Sequence, residues 1–342
     1  MTKNKSVLLR FLLVVTCIFA ISFMPGCTQD SQSTPQTPAA EKEDTQPVEV
    51  KVGSLKGPTS MGLVDFMQKA EDKETTNQFD FTVTGSPQEL MAAFAKGDYD
   101  MALLPSNAAS VLYNKTDGDV SVIDINTLGV LNVMTKDPTI KSMEDLAGHT
   151  IIMSGKGMTP EYVMRYLIKQ NGLEGKVALD FKSEHTEVAA SLQDSPDAIA
   201  VLPQPFATAV NVKDPEIKYA IDLTEAWNKA SKGDSKLVMG VTVVHNEFLK
   251  EHPEAVKEFI KEHKDSCNQV IDNPKAASQL IEKYAIMPKA KIAELAIPRC
   301  QIVCISGGEM QQNLAGYLQI LYSANPKSVG GTLPTDDFYW KG

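Results

Sequence analysis

Loops that combine hydroxyl, amide and lysine side chains follow three predicted strands in the first third of the chain. They are Lys56-Gly57-Pro58-Thr59-Ser60, Gly85-Ser86 and Pro105-Ser106-Asn107. Each loop leads into a predicted helix, whose first turn leaves backbone N–H groups unpaired and carries a partial positive charge. Because anions and carbonyl oxygens bind such helix starts, the three loops favour a site for a small polar or anionic ligand.

A fourth loop of the same construction, residues 154–159, precedes another predicted helix. Ser86 and Thr159 are the expected N-caps of their helices, since each stands directly before a proline at a helix start. A cap needs no ligand, so each hydroxyl taken singly is weak evidence of binding. Four such loops are stronger evidence, because loops at the carboxyl ends of strands line the ligand crevice in open α/β sheets.

The elements that carry these loops alternate between strands and helices. Apolar or alternating segments predict strands at residues 48–52, 79–83, 99–104, 128–134, 149–153, 198–202 and 237–244. Residues 252–322 are mostly helical in pattern. Strands that alternate with helices imply parallel pairing with right-handed crossovers, so the expected class is α/β.

The strand at residues 237–244 lies well past the second strand-helix series, which suggests that the chain crosses between two lobes and returns. The expected crossings are Leu128-Gly129 and Gly240-Val241. The predicted divisions are residues 48–128 for the first part of lobe one, 129–239 for lobe two and 240–342 for the rest of lobe one.

The beginning of the chain predicts export. Lys3, Lys5 and Arg10 precede an apolar run at residues 11–23, and a small residue stands before Cys27. This pattern predicts a signal peptide over residues 1–26. A cysteine in this place resembles the lipobox of bacterial lipoproteins, which implies a lipid on Cys27 and attachment to the membrane. The alternative is an ordinary secreted chain with an incidental cysteine.

Composition sets further bounds. Residues 27–47 contain no large apolar side chain and are expected to form a flexible tether behind the lipid. The sequence has 33 Lys and Arg against 43 Asp and Glu, a formal charge of −10. Removal of the leader, which holds three basic residues and no acidic one, leaves a formal charge of −13. An acidic surface argues against nucleic acid as a partner.

Three cysteines, Cys267, Cys300 and Cys304, would remain in the folded part. Export permits a disulfide, but three thiols cannot all pair within one chain. The spacing of Cys300 and Cys304 could suggest a metal or redox pair, although no histidine is near them in the sequence. Buried thiols or one structural bridge are the favoured interpretation, and no metal or cofactor is predicted.

Four segments resemble the substrate-binding lipoproteins of ABC importers, in the broad group named for nitrate, sulfonate and taurine or for thiamine-precursor binding. They are residues 53–62 (GSLKGPTSMG), 97–105 (GDYDMALLP), 157–162 (GMTPEY) and 330–340 (GGTLPTDDFYW). The resemblance extends over essentially the whole mature chain. It implies a type II periplasmic-binding fold, with two lobes that are each a mostly parallel sheet flanked by helices. Two crossover strands would join the lobes, which close over one small molecule.

The resemblance also implies where ligand contacts fall. The implied contacts are Lys56, Gly57, Thr59, Ser60, Ser86, Ser106 and Asn107 of lobe one and Ser154, Lys156 and Thr159 of lobe two, with Gln204 and Thr127 as weaker candidates. Lys56 beside a helix start would favour an anion, or else it is a solvated loop lysine. The rings of Trp227, Phe206 and Tyr113 could stack on a flat ligand, although packing is the commoner role of such side chains.

The implied function is extracytoplasmic capture of a small polar or anionic organic molecule and its delivery to an ABC permease by a lipid-anchored monomer. An alternative is a sensor lipoprotein that acts on a membrane receptor. Relatives of the fold include enzymes, among them thiamine-pyrimidine synthase and the menaquinone-pathway dehydratases. Catalysis is not expected, because the general acid or base that it needs is missing from the strand-end loops. The five histidines, His149, His185, His245, His252 and His263, all lie outside those loops.

Overall fold

The computed structural model describes residues 46–233 and 235–342. The predicted signal peptide, the predicted lipid site at Cys27 and most of the predicted tether lie outside the described residues. None of the helices in the described part is both long enough and apolar enough to cross a bilayer.

Eleven strands of the described residues form two sheets. In chain order they are β1 (Glu49–Leu55), β2 (Gln78–Thr84), β3 (Met101–Pro105), β4 (Val120–Thr127), β5 (Leu131–Thr135), β6 (Thr150–Met153), β7 (Ala178–Phe181), β8 (Ile199–Pro203), β9 (Lys218–Asp222), β10 (Gly240–His245) and β11 (Ile302–Ser306). The first sheet has the order β11-β4-β10-β3-β1-β2 and the second has the order β7-β6-β8-β5-β9. We refer to the first sheet with its helices as lobe one and to the second as lobe two.

Thirteen α-helices of the described residues cover the sheets. They are α1 (Pro58–Met61), α2 (Val64–Glu71), α3 (Pro87–Ala95), α4 (Ser106–Lys115), α5 (Thr159–Gln170), α6 (His185–Asp194), α7 (Phe206–Lys213), α8 (Leu223–Ala230), α9 (Asn246–Glu251), α10 (Pro253–Asp272), α11 (Pro274–Lys283), α12 (Ala290–Ala296) and α13 (Gly307–Ala324). Short 3₁₀ helices occupy Glu144–Leu146, Ile297–Arg299, Pro326–Val329 and Asp336–Phe338.

Two sheets flanked by helices confirm the predicted α/β class. The sheets contain fewer parallel ladders than the sequence led us to expect. In lobe one β1 is parallel to β2 and β3, whereas β10 is antiparallel to β3 and β4, and β11 is antiparallel to β4. In lobe two β6 is parallel to β7 and β8, whereas β5 is antiparallel to β8 and β9. The strands that run against the others are β10 and β11 in lobe one and β5 in lobe two. β5 and β10 are the first strands after the two crossings, where the chain leaves the strand-helix-strand repeat.

Some elements differ from their predicted form. The sequence pattern does not reveal β4, because half of its residues are polar, although all of them are buried. Asp124 in this strand is compensated by a hydrogen bond from the Thr242 hydroxyl over 2.9 Å. The strand predicted at residues 128–134 begins only at Leu131. β11 lies within the stretch that was expected to be mostly helical.

An aromatic cluster holds α2 and α10 on the sheet of lobe one. The ring centroid of Phe66 lies 4.8 Å from that of Phe79 and 5.6 Å from that of Phe259. All three side chains are buried. Burial of a side chain of this size stabilises the fold by about 1.5–3 kcal/mol, so this cluster is a main attachment of the outer helices.

A second apolar core runs from lobe one into lobe two. Trp227 of α8 is fully buried in it, and its ring lies 4.5 Å from Tyr166 of α5 and 5.5 Å from Tyr317 of α13. The lobes are therefore joined by packed side chains as well as by the two crossing segments.

Both crossings place a glycine where the structure has no room for a side chain. A Cβ on Gly129 would lie 2.9 Å from Leu237 Cδ2 and still closer to the Thr224 hydroxyl. A Cβ on Gly240 would come well under 3.0 Å from Asn126 Oδ1. The backbone thus approaches its neighbours at each crossing as closely as only glycine permits.

Replacement of Gly129 by alanine is expected to destabilise the protein by about 1–3 kcal/mol, because the crossing must shift to admit the methyl group. The free energy of unfolding is measured by urea denaturation monitored by circular dichroism. Gly308→Ala is the matched control, since a Cβ there meets open space in the first turn of α13. The control should be unchanged or more stable by about 0.5–1 kcal/mol. Equal stability of the Gly129→Ala and wild-type proteins would contradict the steric argument.

Candidate functional site

The strand-end loops of lobe one lie along one edge of its sheet. Because β2, β1 and β3 are adjacent and parallel, their carboxyl ends point the same way. The backbone N–H of Lys56 donates to the Thr84 carbonyl over 2.8 Å and ties the first loop to the second. α3 begins at this edge at Pro87, and α4 begins there at Ser106. We call this the lobe-one edge.

Lobe two has an edge of the same construction. β7, β6 and β8 are adjacent and parallel, and α5, α6 and α7 begin at their carboxyl ends. Ser154, directly after β6, forms a 2.6 Å hydrogen bond between its hydroxyl and Nδ1 of His185, the first residue of α6. Gln204 stands at the corresponding place after β8. We call this the lobe-two edge.

Side chains from the first turns of two helices join the edges. The Thr159 hydroxyl at the start of α5 donates to Asn107 Oδ1 at the start of α4 over 3.2 Å. Tyr317 of α13 is fully buried beside the hydroxyls of Thr159 and Ser106, and burial raises the pKa of its phenol. The structure therefore brings predicted residues of both lobes together. We call the space between the two edges the interlobe gap.

A second contact between the lobes leads to Gln204. The guanidinium of Arg299, in lobe one, lies 4.0 Å from the ring centroid of Tyr219 on β9. The Tyr219 hydroxyl is 2.9 Å from Thr208 Oγ1, which in turn donates to Gln204 Oε1 over 2.7 Å. This network fixes the orientation of the Gln204 amide, because its oxygen is held in place. Gln204 is buried, and its Nε2 has no hydrogen-bond partner among the described residues.

Three predicted contact residues point their hydroxyls into the protein. Ser60 bonds to the Ser54 hydroxyl and the Leu55 carbonyl. Ser106 donates to the Val238 carbonyl over 2.6 Å, and Thr127 donates to Asn126 Oδ1 over 3.0 Å. These side chains are buried and hold the loops and crossings in place. Their roles as ligand contacts stay predictions.

One of the two predicted caps is confirmed and the other is wrong. Ser86 accepts a hydrogen bond from the Glu89 N–H over 3.2 Å, as an N-cap does. Thr159 is instead the first residue of α5, which begins after Met158. The Glu161 carboxylate, rather than Thr159, accepts a hydrogen bond from the loop before α5, from the Gly157 N–H over 2.6 Å. The Thr159 hydroxyl is therefore available to reach Asn107.

The lysines of both loops are exposed. Lys56 precedes Gly57, which is the N-cap residue of α1 and has a φ of 102°. Thr59, within that helix, is half-buried. α1 has only four residues, so its dipole adds little to the charge of Lys56. Lys156 Nζ lies 5.9 Å from the ring centroid of Phe181 at the end of β7. Lys56 directly follows β1 and Lys156 lies three residues after β6, so one exposed lysine stands at each edge.

His185 and Phe206 join the site although the sequence analysis did not place His185 at a strand end. The two rings are 5.0 Å apart and half-buried. Burial lowers the pKa of His185, against the opposing charge of Glu184, so the imidazole is neutral at pH 7. β7 is only four residues long and carries no fully buried side chain, which is why its end is hard to recognise.

The other two aromatic candidates have packing roles. Trp227 is enclosed between Tyr166 and Tyr317, as described above. The Tyr113 hydroxyl donates to Asp337 Oδ1 over 2.7 Å and its ring packs on Phe338 in the tail of the chain. Neither ring faces the interlobe gap as a free stacking surface.

One group of described residues has the donors for a metal ion. Asp124, His263 and Cys304 offer ligand atoms that all lie within 4.8 Å of one another. They belong to β4, α10 and β11 inside lobe one, and none of them is on the lobe-one edge.

Comparison with solved structures identifies the class of fold. An ABC transporter protein from Parabacteroides distasonis superposes with a TM-score of 0.73 at 23% identity, covering 86% of this chain and 99% of that chain. The periplasmic aliphatic sulphonate-binding protein SsuA from Escherichia coli gives 0.68 at 13% identity, covering 86% and 93%. The alkanesulfonate-binding protein SsuA from Xanthomonas axonopodis pv. citri, bound to MOPS, gives 0.61 at 12% identity, covering 87% and 100%. The chain has the periplasmic-binding fold.

The family follows from the sequence match. The model of the NMT1/THI5-like family matches residues 77–277, which is more than half of the chain. The chain belongs to this family. No curated protein matches it.

Protonation of His185 should weaken the fold. Its folded pKa is lower than its unfolded value, so between these two values only the unfolded chain takes up the proton. We expect wild-type stability to fall as the pH is lowered from about 7.5 to about 5, starting near the unfolded pKa of roughly 6.5. In a His185→Asn protein the fall should be smaller. Exposed His149→Asn is the control, and an equal fall in all three melting curves would contradict the assignment.

Proposed function

We propose that this chain is an extracytoplasmic solute-binding protein that holds a small polar or anionic organic molecule in the interlobe gap. The observation that carries the proposal is the hydrogen bond between Thr159 and Asn107, which brings the carboxyl edges of both sheets to one place. In open α/β sheets such edges are where ligands bind. A ligand in the gap would contact both lobes.

Helix starts supply the main binding groups. Five helices, α3 to α7, begin at the two edges, and their first turns direct backbone N–H groups there. A favourable helix terminus contributes roughly 0.3–2 kcal/mol, and a hydrogen bond to a charged group about 1.5–3 kcal/mol. A few of these acting together reach the roughly −8 kcal/mol of a micromolar complex after the cost of association. An anion therefore needs no salt bridge in this gap.

Side chains add selectivity. Gln204 Nε2 is a buried donor held by the Thr208 network, and a ligand oxygen would satisfy it. Neutral His185, fixed by Ser154, presents a second polar group on the same edge. Lys56 and Lys156, one exposed lysine at each edge, favour negative charge. Ser86, Asn107 and Thr159 complete the proposed contact set.

Domain closure is the proposed mechanism of capture. The Asn107–Thr159 hydrogen bond and the Arg299–Tyr219 contact would form as the lobes close. Residues 128–130 and 236–239, next to the strands that leave each sheet, would act as the hinge. A ligand that contacts both lobes stabilises the closed state by its differential affinity for that state.

The cellular role is proposed from the sequence and the comparisons together. The predicted signal peptide and Cys27 support a lipid-anchored protein on the extracytoplasmic side of the membrane. The similarity to periplasmic sulphonate-binding proteins supports delivery of the ligand to an ABC permease and makes sulphonates the first compounds to test. A sulphonate offers three acceptor oxygens, which suits a gap lined by N–H donors.

A thermal-shift screen of the mature chain tests the proposal. The panel should pair alkanesulfonates with sulfonamides of the same length, and should include nitrate, pyrimidine precursors and amino-acid derivatives. We expect a charged compound to raise the melting temperature and its neutral partner to have little effect. Stabilisation by the neutral partners alone would contradict the anionic part of the proposal. Mass spectrometry of each compound after incubation checks for turnover, since the Ser154–His185 pair resembles a nucleophile with its base.

Replacement of Gln204 by glutamate tests the buried amide. The new side chain has the same size but loses both N–H donors, so affinity for the compound found in the screen should fall roughly 10- to 100-fold. Calorimetric titration measures the change. Gln170→Glu is the matched control, because Gln170 is exposed at the far end of α5. Equal weakening in both variants would indicate a general charge effect and would contradict the role of Gln204.

A further inference from the structure

The interior of lobe one contains a group of donor side chains that the interlobe gap does not use. Asp124 of β4, His263 of α10 and Cys304 of β11 place one ligand atom each within 4.8 Å of the others. Asp124 and His263 are fully buried, and Cys304 is partly buried. The three residues are far apart in the sequence and meet only in the fold.

Only one of the two ring nitrogens of His263 has a polar partner among the described residues. Its Nδ1 lies 3.3 Å from Asp124 Oδ2, and Asp124 Oδ1 accepts from the Thr242 hydroxyl over 2.9 Å. Within residues 46–233 and 235–342, nothing hydrogen-bonds to His263 Nε2, although this atom is buried. The 3.3 Å between the imidazole Nδ1 and the carboxylate oxygen is also close to the separation of two ligands of one tetrahedral zinc ion.

Cys267 adds a second thiol on the same side. It follows His263 by one helical turn on α10, so both side chains lie on one face of that helix. A Cβ on Gly62 would be 2.8 Å from Cys267 Sγ and 3.5 Å from His263 Nε2, so both atoms face the same glycine. Cys267 Sγ is also 3.4 Å from the Val303 carbonyl, next to Cys304 in the chain.

We propose that Asp124, His263, Cys267 and Cys304 bind one structural Zn²⁺ ion inside lobe one. Two sulfurs, an imidazole nitrogen and a carboxylate are donors that zinc prefers, whereas calcium and magnesium require oxygen ligands. A divalent cation also offsets most of the negative charge that the carboxylate and the thiolates would bring into the core. The ion would join β4, α10 and β11, which are distant in sequence.

Proton release accompanies binding. Cys267 and Cys304 are free cysteines, and zinc binds cysteine as the thiolate. Zinc binding displaces the thiol protons and leaves the His263 imidazole neutral, with the protons passing to solvent. Because the donors are largely buried, the ion is expected to enter as the chain folds.

The test uses the full chain, unfolded under reducing conditions and refolded with Zn²⁺ or Co²⁺, then washed with a chelator. Elemental mass spectrometry should find one ion per chain, and the Co²⁺ form should show thiolate-to-cobalt charge-transfer absorption. Cys304→Ser should weaken retention more than tenfold. Cys300→Ser is the matched control, because Cys300 is also buried, lies four residues away and is outside the donor group. The thiols of Cys17 and Cys27 are common to all variants.

Two results would overturn the proposal. One is a refolded wild-type chain, verified by circular dichroism, that retains neither ion. The other is equal retention by the Cys304→Ser and Cys300→Ser proteins. If Cys304→Ser does not fold, the Co²⁺ spectrum of the wild-type chain decides, since tetrahedral Co²⁺ without thiolate charge transfer excludes these ligands.

Discussion

Three adjacent parallel strands in each sheet end at the interlobe gap, and this shared direction is the constraint on which the candidate site depends. Parallel pairing of β2, β1 and β3 sends three loops to the lobe-one edge, and β7, β6 and β8 do the same for lobe two. Helices that follow these strands must begin at the same edges, so their unpaired N–H groups converge. The site is therefore a consequence of topology before any particular side chain is considered.

Polar side chains at the edges divide into two kinds. Ser60, Ser106 and Thr127 give their hydroxyl hydrogens to the protein and fix the loops. Gln204 differs, because its oxygen is held while its buried nitrogen has no partner among the described residues. A buried donor left in this state costs roughly 1–3 kcal/mol, which a ligand acceptor would recover. Rigid loops with a few unsatisfied donors are what a selective binding gap requires.

Local signals in the sequence predicted part of this arrangement. Alternating strands and the Ser86 cap could be read directly, because each depends on neighbouring residues. Long-range features could not. The sequence pattern does not reveal β4, because its buried Asp124 is paired with Thr242 on a distant strand. Thr159 is free to bond to Asn107 because Glu161 accepts the hydrogen bond from the loop before α5. The apparent lack of a histidine near Cys304 was likewise a property of the sequence alone, since folding brings His263 beside it.

Hydrogen exchange with and without ligand is the most direct test of the central claim, that one molecule is held between the two edges. The ligand is the compound with the largest thermal shift, and the readout is amide protection along the whole mature chain. Protection should rise together at the first turns of α3 and α4 in lobe one and of α5, α6 and α7 in lobe two. Protection confined to one lobe, or found away from these helix starts, would contradict the account.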